Sequence, residues 1–106
     1  MTTTHDIDND RRFTAELFRL LIPLREQRLP APLSISWQGD MSTPTPMLRL
    51  QVQSEHFRSY FEQLSDHVLR TEPHEEQQHV HAWGKLDGRQ LVHIVTVLAA
   101  GESFDA

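Results

Sequence analysis

Seven histidines, at positions 5, 56, 67, 74, 79, 81 and 93, are the residues of this chain best suited to chemistry near neutral pH. Imidazole is the side chain whose ordinary pKa falls there, and it is also a common metal ligand. His79 and His81 stand two apart in an alternating segment, so on a strand both rings project to one face. That spacing suits a metal site of His79 and His81, completed by His74 or Glu76 just upstream. The strand expected opposite offers Ile94 and Thr96 to the same face and turns His93 to the other, so a third ligand is missing across the sheet. A polar sheet face is the simpler reading.

Other chemistries have less to work with. No cysteine is present, which removes disulfides, thiolate nucleophiles and cysteine metal sites together. Glu62, Asp66 and Arg70 are spaced four apart, the pattern of a solvated ladder on a helix rather than of a paired acid and base. No serine sits in a Gly-x-Ser-x-Gly turn. The four glycines, at 39, 84, 88 and 101, form no phosphate-cradling loop or dinucleotide fingerprint. No catalytic residue and no cofactor is expected, and an enzyme is disfavoured.

Trp83 shares the parity of His79 and His81. If the Asp87-Gly88 turn is a two-residue hairpin loop, Trp83 lies opposite Val92 and His81 opposite Ile94. One face then groups Trp83, His79, His81, Val92 and Ile94. A Trp amid aliphatic residues suits a protein contact patch, since aromatic side chains dominate interface hot spots. The alternative is that this face lies under the helices, with Val80, Ala82, His93 and Val95 outward.

The elements that must position these residues follow from hydrophobic period. Phe13, Leu17, Leu20, Leu21 and Leu24 predict a helix over 9–28, with Asp8, Asn9 and Asp10 as N-cap candidates and Pro23 as a kink. Arg11, Arg12, Arg19, Arg25 and Arg28 interleave with Asp8, Asp10, Glu16 and Glu26, as on a solvated face. Leu33, Ile35 and Trp37 alternate with polar residues, as do Leu48, Leu50 and Val52, predicting two strands joined by a loop over 39–46, with Trp37 in the core. Ser54 is expected to cap a second helix in which Phe57, Phe61, Leu64, Val68 and Leu69 mark one face until Glu72 and Pro73. Segments 80–84 and 89–98 predict a final hairpin.

The product expected is a two-layer α+β domain of order α-β-β-α-β-β, a four-stranded antiparallel sheet with two helices on one face. With 106 residues, 38% hydrophobic and 24% charged, one domain over 9–99 between flexible ends at 1–8 and 100–106 is the expectation. The last strand is apolar on both faces, through Leu91, Val95 and Val97 on one and Val92, Ile94 and Leu98 on the other, which suggests a homodimer. Residues 54–106 hold nine acids and four bases, whereas the preceding half is balanced, so the net charge of −5 is local to the second half. Such a balance disfavours nucleic acid as a partner. The start resembles no secretory signal, and no apolar run reaches the roughly 20 residues of a membrane span, so a cytoplasmic protein without a membrane partner is expected.

A small non-catalytic protein-binding domain, adaptor-like, chaperone-like or regulatory, is the reading these features favour. A His-based metal-binding protein or metal-dependent enzyme is the alternative. A third reading is an acidic decoy of a nucleic-acid-binding site built from Glu55, Glu62, Asp66, Glu72, Glu75 and Glu76. Because His74, His79 and His81 border the acidic half, association or solubility is expected to change between about pH 7.5 and 5.5.

Overall fold

The computed structural model describes residues 4–38, 47–99 and 101–104, with side chains described from residue 11 onward. The loop expected over 39–46 lies outside the described residues. Helix α1 covers Thr4–Glu26, strand β1 Ser34–Gln38 and β2 Met47–Gln51, followed by helix α2 at Ser54–Glu62. Three strands complete the chain, β3 at Leu64–His74, β4 at Gln77–Leu86 and β5 at Gln90–Leu98.

These form an α+β fold with a five-stranded mixed sheet of order β1-β2-β5-β4-β3. The expected fold class therefore holds, but four antiparallel strands become five, and β2 and β5 pair in parallel. Between those two strands the chain runs through α2 and the β3–β4 hairpin, long enough for the crossover a parallel pair needs. Leu20 of α1 and Phe57, Tyr60 and Phe61 of α2 share one core with Leu48, Leu50, Val80, Ala82, Leu86, Val92, Ile94 and Leu98. Both helices thus cover one sheet face, as the apolar parity of β2 and β4 requires.

Several expectations need correction. The second helix stops at Glu62, and 64–74 is strand. Phe57, Tyr60 and Phe61 already fill the buried side of a short helix, and β4 offers the next residues a ladder from Leu64 opposite Leu86 to His74 opposite Gln77. Tertiary pairing overrides the helical spacing of Leu64, Val68 and Leu69. Pro73 is tolerated because β3 is an edge strand. Ser54 is not the cap: Gln53 holds that position, without a side-chain cap bond.

Helix α1 starts at Thr4, ahead of its expected caps, and runs through Pro23 as one helix. Its end is a left-handed closure. Arg28 has φ 53°, its N–H donates to the Arg25 carbonyl at 3.3 Å, and Leu29 N–H donates to the Leu24 carbonyl at 3.0 Å. That is the paired hydrogen-bond pattern of a Schellman motif, with Leu24 and Leu29 both packed against the core. At the other end of the chain Phe104 meets Phe57 edge-on at 4.8 Å, beyond the expected domain limit at 99.

The final hairpin carries the consequential correction. Asp87 and Gly88 take positive φ, 57° and 67°, as expected of them, but the ladder closes on Leu86 opposite Gln90 and leaves Arg89 as an extra loop residue. One added residue turns every β5 side chain over. Trp83 therefore pairs with His93 and His81 with Val95, while Val92 and Ile94 join Gly84 and Ala82 on the helix-covered face. β5 is also the central strand, and Val95, on its helix-free side, is buried within this chain. The cover that the two-faced strand needs is largely intramolecular, which removes the sequence argument for a homodimer.

Candidate functional site

Two surfaces collect the side chains that could act. The first is the helix-free sheet face, where strand alternation places His79, His81 and Trp83 of β4 beside His93 of β5 and Arg49 of β2. The three rings of Trp83, His93 and His81 stack on one another, with Trp83 and His93 centroids 4.5 Å apart and 11° from parallel, and His81 5.1 Å from His93. A hydrogen-bond chain runs through them. His93 Nδ1 donates to Gln38 Oε1 at 2.7 Å, so His93 Nε2 is an acceptor and His81 Nδ1 donates to it at 2.8 Å. His81 Nε2 then carries a bare lone pair, buried without a hydrogen-bond partner, 3.6 Å from Glu72 Oε2.

The electrostatics follow from this packing. Burial pushes His93 down to about 4, and His81 and Arg49 add in the same direction. Burial also lowers His81, helped by His79, Arg49 and Arg70 and opposed by Glu72. Both imidazoles are neutral at pH 7, held by their own contacts and closed to a ligand in this arrangement. His93 is only 5% exposed.

The rings of the metal set His74, His79 and His81 lie in a row along the β3–β4 end of the sheet. His74 and His79 centroids lie 5.1 Å apart at the β3–β4 turn, His79 and His81 6.3 Å apart, and the Nδ1 of His81 is committed to His93. Among the described residues no three His, Cys, Asp or Glu side chains converge as a metal site. The acids of the decoy reading are divided too, Glu55 and Glu62 on α2, Asp66 and Glu72 on β3, and Glu75 and Glu76 in its turn. Of the expected contact set, Trp83, His79 and His81 share the open face, whereas Val92 and Ile94 are fully buried beneath the helices. Trp37 packs against the core beside Phe13.

The second surface is the outer side of α1, which the sequence reading passed over as solvated. Leu20 and Pro23 are buried, and Phe13, Leu17 and Leu24 half-buried, along the inner side. Phe18 and Ile22, rotated to the opposite side, are 67% and 55% exposed, and Leu21, on the flank next to Leu17 and Leu24, is 53% exposed. Isolated exposed apolar residues are ordinary; three on adjoining turns of one helix are a patch. The signal was present in the sequence, since seven Leu, Ile and Phe residues fall within 13–24, too many for one stripe.

Beside Ile22 opens a cleft of about 480 Å³ between α1 and the β4–β5 turn. Its apolar wall is Ile22, Pro23, Leu86 and Leu91, and its charged edge is Arg19, Arg89 and Asp87. At the base Gln90 joins sheet to helix, its Nε2 donating to the Glu16 carbonyl and to Glu16 Oε2. Arg19 holds the other Glu16 carboxylate oxygen at 3.0 Å.

Together these features define a small α+β domain with one helix-free sheet face sealed by stacked rings and one helix presenting an uncovered apolar side. Comparison of the chain with protein-family models, curated proteins and solved structures found no match. Among the described residues no helix is long and apolar enough to cross a membrane.

Proposed function

We propose that this chain is a small non-catalytic protein-binding domain that engages its partner through the outer side of α1. The observation that carries the reading is the contiguous exposure of Phe18, Leu21 and Ile22 on a helix whose opposite side is anchored in the core. Each such side chain offers roughly 1.5–3 kcal/mol on full burial, which supports an interface over a solvated surface. The packing of His81 and His93 supports a binding role over catalysis, because both nitrogens of His93 are hydrogen-bonded and the one unpartnered nitrogen, His81 Nε2, is buried. Trp83, His79 and Arg49 on the sheet face supply a secondary contact area in this reading.

The test is affinity capture from the source cells with the wild-type chain and with a Phe18→Ser/Ile22→Ser double variant. Both positions are exposed, so circular dichroism and thermal unfolding should match wild type. Proteins retained by wild type and lost by the variant are the expected result. Identical recoveries from the two baits overturn the proposal.

A further inference from the structure

The charges around the apolar side of α1 specify the kind of partner. Positions 11, 18 and 25 fall seven residues apart, so Arg11 and Arg25 lie on nearly the same line of the helix as Phe18, one about 10 Å to either side. Both arginines are exposed, and among the described residues neither has a carboxylate at ion-pair distance. Among the residues whose side chains are described, no acid stands on that line. Glu16 lies on the inner side and is held by Arg19 and Gln90, and Glu26 stands off the line, one turn beyond Ile22 on the side of the cleft. The cleft beside Ile22 continues the same surface and adds Arg19 and Arg89, with Asp87 at its edge and Glu16, already bound to Arg19 and Gln90, at its base.

We propose that the occupant of this face is an acidic amphipathic segment of another protein. Its apolar anchor residue seats in the cleft walled by Ile22, Pro23, Leu86 and Leu91, and its carboxylates meet Arg11, Arg25 and Arg89. This inference rests on the reading of α1 as the docking face. Charge complementarity carries the choice. Cations at both ends of an apolar line favour a segment with acids outside its apolar anchors and penalise a basic one, which would set like charges together. An apolar pocket beside a helix face is also the arrangement in which one buried anchor residue supplies most of the binding energy.

The probe is a displayed library of random 16-residue peptides selected on the immobilised full chain. Enriched sequences are expected to carry Leu, Phe or Trp anchors with Asp and Glu on both sides. A synthetic peptide of the enriched sequence should lose at least tenfold in affinity to an Arg11→Glu/Arg25→Glu variant and to Arg89→Glu, weaken with added salt, and bind a Lys85→Glu control unchanged. Neutral or basic peptides that are lost on Ile22→Ser but indifferent to the arginine reversals overturn the acidic partner and leave the docking face standing. Peptides indifferent to Ile22→Ser, or no enrichment, overturn both. Concentration-dependent dimers abolished by Ile22→Ser, or binding to phosphatidylserine vesicles in place of peptides, assign the face to another occupant and overturn the inference.

Discussion

At the scale of single residues, the pair His81 and His93 shows how packing converts two reactive side chains into structural ones. His93 gives its Nδ1 proton to Gln38 and accepts at Nε2 from His81, so both of its nitrogens are used. A second proton on His93 would displace the His81 donor from Nε2 and place a buried charge beside the cation of Arg49. This contact was illegible in the sequence, where His93 was expected on the opposite face, because parity along β5 depends on one loop residue. Its consequence is a stability that depends on pH. His93 titrates near 6.5 in the unfolded chain and about 4 when folded. The unfolded state therefore binds more protons in that interval, and the contribution is complete above about pH 6.5 and is lost as pH falls toward 4. The loss is roughly 3 kcal/mol from this residue. Urea unfolding of wild type and of His93→Gln at pH 7 and pH 4.5 checks it. The variant should lose markedly less stability than wild type between the two, and equal losses would refute the assignment. Burial likewise lowers His81, so its part in the expected pH response shifts toward lower pH.

At the scale of elements, alternation was legible wherever a strand has one buried face. Leu48 and Leu50 pointed inward as expected, and so did Ile35 and Trp37, because a period of two has no helical equivalent at that length. β3 was hidden for the converse reason. Leu64, Val68 and Leu69 fit the period of a helix, and most of the strand is exposed at the sheet edge, so no alternation marks it. A bulge also breaks its register between Ser65 and Val68, with Asp66 at φ 51°. Opposite that irregularity stands Gly84. A Cβ there would lie 3.0 Å from the Ser65 carbonyl oxygen and 3.1 Å from the Leu64 Cβ, so β3 would have to give by a few tenths of an ångström. Gly84→Ala should cost about 1–3 kcal/mol by forcing the bulge outward. Denaturant unfolding measures this, and an unchanged midpoint would show that the edge strand yields without penalty.

At the scale of the whole molecule, stability is unevenly shared between the sheet and the first helix. Most of β5 is buried, and it is flanked by β2 and β4 in the middle of the sheet. α1, by contrast, buries Leu20 and Pro23 fully along its described length, and Gln90 adds one polar tether to Glu16. Elements with few buried contacts open locally at less than the global free energy. Hydrogen exchange should therefore find the α1 amides around 17–26 protected well below those of β4 and β5, with β5 reporting global unfolding. Partner binding at Phe18 and Ile22 would add contacts to the folded helix alone, so the same amides should gain protection in the complex while β5 changes little. Equal protection of α1 and β5 in the free chain would mean that the helix belongs to the same cooperative unit as the sheet. A protection gain confined to β4 would instead move the contact to the sheet face around Trp83. Weak anchoring and outward apolar side chains together make α1 the element whose order a partner can most readily change.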